Sequence, residues 1–548
     1  MTCPKYQPQL TSVARGSLVW NKQELANISK RLKCQGSKVL RRKGSDTDVV
    51  YSAAFPLHVG LPFKIENSES AMLQVLCFVN DDAGRQELVY SYIHLLTKLP
   101  PSNPKPPTEA KLPGVLILLI ESLARVNGEK QLPQTVRVLR ELYNATFLRG
   151  LTKVGDNTFP NLVALLTGHG VGGRGGKEQE GEQVKEKNID VDQLPFLWNS
   201  WRDLGCPTLY SEDSPAINTF TYLRRGFSLP PTTVYHRPWW LAVGRLPRRN
   251  RQNTTNEPYG CTLGKPSYTH QRDLAINFLR QTRHQCSFSL VFHVALGHTT
   301  DINDVAVMDN DLANWLRLMH TEGLVQDKLV LVGGDHGNRF SGSRLSLGGR
   351  VEERMPFMAV SLPRKLQGRG KLVLEENKDK LVSHFDLHRT ILSLLPSPPD
   401  DPHQVETQHT PISLLTPIPN NRTCSEAGVP TNYCVCTPER YLSLRHPEAG
   451  KAVEALVDKV EHMLKPHQHL CLPVGLSRLL EARLVGEEVR VTILTTTKAT
   501  LEALVKEGKE VVGDINRLDY MGTKVCLSDS YLQLFCTCRN SLPQLFGG

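Results

Sequence analysis

Two unbroken aliphatic runs, VLILLI at 115–120 and KLVLV at 328–332, stand out from a chain whose other apolar positions mostly alternate with polar ones. An uninterrupted run of that kind predicts a strand buried on both faces of a mostly parallel sheet. The stretch 309–324, just ahead of the second run, reads as a helix. Strand, helix, strand in that order is doubly wound α/β logic. Ahead of the first run, AMLQVLCFV at 71–79 reads as a strand of a small β-rich leading domain spanning 1–99. The proline-rich LPPSNPKPP that follows cannot enter a helix or a central strand, so 100–107 is a connector. A second proline cluster at 396–402 ends the α/β domain, which spans 108–400. A cysteine-containing connector, 401–445, then leads to a domain of α+β character over 446–548, with a helix-like stretch at 449–464 and a β-like run, EVRVTIL, at 488–494. The segment 169–188 is glycine-rich and then charged, a mobile surface loop without the spacing or strand context of a P-loop.

Chemistry gathers where these strands should end. Glu121 directly follows the first run, and Asp335-His336-Gly337 follows the second across two glycines. In an open parallel sheet, ligands bind outside the carboxyl ends of the strands. A single carboxylate there serves as often as a helix cap, so Glu121 alone says little. Between the two lies GDNTFPN at 155–161, running into LVALLTG, with Pro160 and Gly168 bracketing a short helix. Thr158 therefore sits at a helix N-terminus, where the dipole favours an anion. A threonine hydroxyl is a poor nucleophile until a divalent cation lowers its proton affinity. The plain alternative is that Thr158 only caps the helix.

Composition adds compartment and partner. With 548 residues, 40% hydrophobic and 22% charged, the chain has the balance of a folded soluble protein, of about three or four domains by length. Its formal net charge of +10 suits anionic partners: phosphoesters, acidic glycans or a membrane surface. The densest basic run, RLPRRNR at 245–251, has no aromatic stacking pattern beside it, so no nucleic-acid partner is expected. Six of the 13 cysteines repeat one spacing, Cys424…Cys434-x-Cys436 and Cys526…Cys536-x-Cys538. One residue between two cysteines suits separate disulfides better than a zinc knuckle, and the odd total leaves at least one thiol over. Sequons at Asn27, Asn144, Asn253 and Asn421 point the same way, to an extracellular or secretory-lumen protein. The start MTCPKYQPQL has no apolar leader, and no stretch reaches the roughly 18–20 apolar residues of a membrane span. The expectation is that a leader or membrane anchor lies outside this sequence, in preference to a cytosolic location.

The segments 115–125, 153–168 and 331–339 resemble the three metal-site motifs of the alkaline-phosphatase/sulfatase superfamily. Along the chain, KVGDNTFPNLVALLTG, SEDSPAINTFTYLRRGF, MDNDL, EERMPF, DLHRTIL, NRTCSEAGVPTNYC and the tail GDINRLDYMGTKVCL…FCTC resemble an animal family of sulfatase-like ectodomains of unknown function. That resemblance implies an alkaline-phosphatase-like α/β fold, a mostly parallel sheet flanked by helices. Sulfatases use C-x-P-S-R, whose cysteine becomes formylglycine; Thr158-Phe-Pro-Asn161 has neither that cysteine nor the arginine, which disfavours sulfate esters. The set Glu121, Thr158, Asp335 and His336 is instead similar to that of lipoteichoic acid synthases and phosphoethanolamine transferases, which hold one Zn or Mn ion. The resemblance implies Thr158 as nucleophile, one divalent ion with room for a second, and Asn157, His298 and Arg339 beside a phosphate-type ester, glycan or lipid substrate. Arg354 is a further candidate for the anion, whereas His384 and His388 read as structural. The rival reading is a non-catalytic secreted or cell-surface binding protein on the same fold.

Overall fold

A computed structural model describes residues 2–14, 16–28, 32–64, 72–80, 85–96, 99, 112–171, 189–222, 224–247, 260–396, 409–519, 526–527 and 530–539. The proline connector, most of the glycine-rich segment 169–188, the end of the basic run and Asn253 lie outside these residues.

The chain folds as mixed α/β around a seven-stranded sheet. Its middle strands, Gly114–Ile120 and Lys328–Gly333, are parallel and paired from Gly114↔Lys328 to Leu119↔Gly333. Phe288–His293 and Thr208–Glu212 extend the sheet in parallel on the other side of Gly114–Ile120. Only the edge formed by Met358–Ser361 and Thr146–Phe147 is antiparallel. The aliphatic run has two buried faces for the expected reason. Val115, Ile117 and Leu119 enter one apolar cluster, with Phe159, Leu162 and Val163 of the helix Thr158–Thr167. Leu116, Leu118 and Ile120 enter a second, with Leu312, Ala313 and Leu316 of the helix Asp309–Thr321.

At the amino-terminal end, Leu32–Arg41 and Met72–Asn80 pair antiparallel, and the Cys34–Cys77 disulfide joins opposed residues of that pair. Cys3–Cys261 and the bond from Trp239 Nε1 to Ile93 O (2.9 Å) tie this region to the α/β unit.

At the other end, five antiparallel strands follow the order Glu439–Tyr441, Leu476–Val485, Glu488–Thr495, Thr500–Lys506, Glu510–Arg517. Alternation gives this sheet two unlike faces. Val489, Val491, Ile493, Leu501, Ala503 and Val505 pack under the helix Pro447–Leu464. Arg490 and Glu502, on the opposite face, are buried against the helix Leu347–Arg354 of the α/β unit.

Twelve cysteines pair: Cys3–Cys261, Cys34–Cys77, Cys206–Cys286, Cys424–Cys434, Cys471–Cys536 and Cys526–Cys538. Cys536 and Cys538 go to different partners, as the one-residue spacing requires, and Cys436 keeps an exposed free thiol. No helix among the described residues is long and apolar enough to cross a membrane.

Candidate functional site

The carboxyl ends of adjacent parallel strands meet at one edge of the central sheet. Glu121 follows Gly114–Ile120, and its N–H donates to His293 O at the end of the neighbouring strand (2.9 Å). Asp335 and His336 follow Lys328–Gly333, and Glu212 closes Thr208–Glu212 with Asp213 next in sequence. Asp213 Oδ1 accepts from Val294 N (2.7 Å) and Ala295 N (3.1 Å), which holds the loop that carries His298. That loop presses on the first strand end: a Cβ at Gly297 would fall 1.9 Å from Glu121 O, so only glycine fits there.

The helix Thr158–Thr167 begins at the candidate nucleophile, and Gly168 ends it in the left-handed conformation (φ 73°). Asn157, not Thr158, is the cap: its Oδ1 accepts from Phe159 N at 3.2 Å. Asn161 braces the turn ahead of the helix, accepting from Val154 N (2.8 Å) and donating to Asn157 O (2.8 Å). The capping role is thus filled, and Thr158 Oγ1 faces His336 Nε2 at 3.4 Å instead.

His336 Nδ1 lies 2.7 Å from Gly337 O, a carbonyl that can only accept, so the ring proton belongs on Nδ1 and Nε2 presents a lone pair. That lone pair looks at Asp335 Oδ2, 3.3 Å away, with both side chains fully buried. Asp335 Oδ1 accepts from Ser122 N (3.0 Å), in a turn where Ser122 takes φ 60°, but Oδ2 has no hydrogen-bond partner. Two acceptors turned on each other inside a protein are an arrangement that a shared proton or cation would relieve. His384, fully buried at the start of the helix His384–Leu392, lies against the Asp335 backbone. Burial holds its imidazole down at about 4, against the opposing pull of the nearby Asp335 carboxylate.

Glu121 stands apart from this close group. Among the described residues, the sets of three His, Cys, Asp or Glu ligand atoms within 4.8 Å of one another consist of cysteine sulfurs, mostly in disulfides. The Glu121 carboxylate therefore lies farther than that from Asp335 or His336, and its neighbour is His298 Nε2 at 3.8 Å. Burial, and then the Asp335 charge, push the Glu121 carboxyl well above its ordinary value. Burial, and then Arg339, hold His298 down at about 4, so this contact is not an ion pair at neutral pH. Arg339 donates from Nη1 to Asp156 Oδ2 at 2.8 Å, which anchors a cation beside the strand ends.

With that geometry in place, comparison with known proteins adds a family. The profile of a family described as "Protein of unknown function (DUF229)" matches residues 2–480. The chain belongs to the DUF229 family. The expectation of a family of unknown function is thereby borne out. No curated protein matches this DUF229 chain. Among solved structures it is similar to the C-terminal periplasmic domain of EcEptC from Escherichia coli in complex with Zn, at 12% identity over 54% of this chain and 86% of that one, TM-score 0.31. It is likewise similar to the lipoteichoic acid synthase LtaP from Listeria monocytogenes, at 11% identity over 79% and 94%, TM-score 0.36. A protein in the alkaline phosphatase superfamily from Vibrio parahaemolyticus aligns at 14% identity over 78% and 86%, TM-score 0.37.

Within the DUF229 chain the sequence candidates divide. Thr158, Asp335 and His336 come together, Glu121, His298 and Arg339 surround them, and Asn157 has its carboxamide oxygen committed to the cap. Arg354 is not available to an anion: it is buried and paired with Glu502 at 2.9 Å. His388 is structural, its Nδ1 3.1 Å from Leu165 O behind the helix. His384, also read as structural, differs: its ring sits by Asp335 and His336. Glu212 and Asp213 went unassigned because the run ahead of them, TLYS, is too short and polar to announce a buried strand.

Proposed function

We propose that this chain is a metal-dependent hydrolase or transferase of phosphate-type esters with Thr158 as its nucleophile. One observation carries the reading: a helix-N-terminal hydroxyl, relieved of capping by Asn157, faces the lone pair of His336 beside a partnerless buried carboxylate oxygen of Asp335. Asp335, His336 and Thr158 would hold a divalent ion such as Zn or Mn; Glu121, the fourth donor that the motifs suggest, would have to turn from His298 toward them to join. That ion, when bound, lowers the proton affinity of the hydroxyl and offsets the charge of the phosphoryl oxygens.

The protein's own groups do the rest. The turn braced by Asn161 fixes Thr158 Oγ1 at the rim of the sheet edge, so attack on phosphorus needs little reorganisation. Thr158 Oγ1 gives its proton to solvent and bonds to phosphorus as the bond from phosphorus to the ester oxygen breaks; the departing oxygen takes a proton from solvent. The helix dipole and the anchored Arg339 guanidinium favour the added negative charge. Water or an acceptor hydroxyl then attacks phosphorus, the bond to Thr158 breaks, and the proton of the attacking hydroxyl returns to Thr158 Oγ1. The six disulfides support an oxidising compartment for this chemistry.

The test is protein made through a secretory pathway, assayed for bound metal and for turnover of an aryl phosphodiester. Thr158→Ala should abolish turnover while the fold persists, and Thr158→Ser should restore part of it. Turnover that survives Thr158→Ala, or protein that takes up no metal, overturns the proposal. The distance of Glu121 from the close group favours one second reading, a secreted binding protein that engages an ion or anion without turnover. Stoichiometric metal with no hydrolysis or transfer of any aryl phosphate would select it.

A further inference from the structure

The helix Leu347–Arg354 touches both halves of the candidate site with its last turn. Gly337 N, next to His336, donates to Glu353 O at 2.9 Å, and Lys153 N, five residues ahead of Thr158, donates to Arg354 O at 2.9 Å. The approach is close enough that a Cβ at Gly337 would fall 2.4 Å from Glu352 O.

Side chains repeat the connection. Lys153 and Glu353 are both buried and form a direct ion pair. The Lys153 ammonium also reaches Asp156 O (3.2 Å) and lies over the Tyr433 ring, 4.3 Å from its centroid. Asp156 in turn holds Arg339 at 2.8 Å. A chain of charges, Glu353, Lys153, Asp156 and Arg339, thus runs from the helix through the Thr158 turn to the loop after His336. On its far side the same helix is gripped by the carboxy-terminal sheet. Glu502 lies 3.0 Å from Arg350 and 2.9 Å from Arg354, and Arg490 pairs with Glu502 at 3.3 Å and with Glu439 at 3.0 Å.

A buried ion pair gives little net stability over an apolar pair of the same size. What Lys153 supplies that methionine cannot is direction: one ammonium group ties a carboxylate, a backbone carbonyl and a ring face into one arrangement. We propose that Lys153 and Glu353 are positioning residues for Thr158, and that the carboxy-terminal sheet, through Glu502, holds the helix that sets them. This rests on the reading of the site given above, and makes the last five strands part of the site's support.

The experiment uses the full chain and Mn or Zn alone as probe, with calorimetry for ion affinity and hydrogen exchange for the amides of 153–162. Lys153→Met should weaken ion affinity at least tenfold and speed exchange there, with Lys153→Arg recovering part of both. Should Lys153→Met fail to fold, Lys153→Met/Glu353→Gln removes both charges; it should recover the melting temperature but neither ion affinity nor protection of 153–162. Glu502→Gln should shift both readouts the same way, by at least threefold. A folded double variant with affinity and exchange within twofold of the parent overturns the positioning role. A Glu502→Gln protein unchanged in both readouts overturns the part given to the sheet. If the parent binds no ion, it is the proposed function that falls, and exchange over 153–162 alone then decides the positioning.

Discussion

Replacing Glu502 with glutamine tests how the carboxy-terminal sheet is held. The carboxyl is fully buried, which by itself would raise its pKa; Arg490, then Arg354 and Arg350, outweigh burial and hold it down at about 2 from 4.5. At roughly 1.36 kcal/mol for each pH unit of displacement, this amounts to about 3 kcal/mol of folding free energy near neutral pH. The sign follows from the direction. A depressed carboxyl stabilises the fold fully above its unfolded pKa, and the contribution drains away as pH falls from 4.5 through about 2. Glutamine keeps the shape and lacks the charge. The pH-dependent gap between parent and Glu502→Gln should therefore be about 3 kcal/mol near neutrality and roughly half that near pH 3. Denaturant titration by circular dichroism at a series of pH values measures it. The neutral-pH difference also appears as a lower melting temperature. A gap that stays constant from neutrality down to about pH 3 refutes the account, because a charge held by three arginines cannot be indifferent to its own protonation.

Other perturbations read other parts of the molecule. Gly297→Ala forces a methyl group to within 1.9 Å of Glu121 O, and should lower thermal stability by about 1–3 kcal/mol together with ion affinity; an unchanged melting curve would show that the loop is not pressed against the strand end. Removing the Cys206–Cys286 bridge, which closes a separation of 80 residues, should destabilise the fold by about 4.5 kcal/mol on chain-entropy grounds, measured by denaturant unfolding of the double alanine variant. Native protein titrated with a maleimide should take up one equivalent, all of it at Cys436 by peptide mapping, and none after Cys436→Ser.

The two central strands were legible because burial on both faces leaves no polar position, and a run such as VLILLI has few other uses. Thr158 was legible through its neighbours, since Pro160 and Gly168 frame the helix that it begins. What the sequence could not reveal was how far apart the donors sit. Strand order puts Glu121 and Asp335 on adjacent strands, yet side-chain direction leaves Glu121 beside His298. Nor could periodicity assign the charged face of the carboxy-terminal sheet. Arg490 and Glu502 occupy the outward half of an ordinary alternation, and only the docked helix Leu347–Arg354 turns that face into an interior. His384 was read as structural for a related reason: a histidine's role depends on what folds against it, and Asp335 lies far away in sequence.

The order of strands in the central sheet has a consequence for biosynthesis. Gly114–Ile120 emerges from the ribosome early, but its two neighbours, Phe288–His293 and Lys328–Gly333, follow some 170 and 210 residues later. At about 5–20 residues per second, the most aliphatic strand of the protein waits on the order of ten to forty seconds for partners. During that interval it is a sticky nascent segment, open to aggregation until its partners arrive.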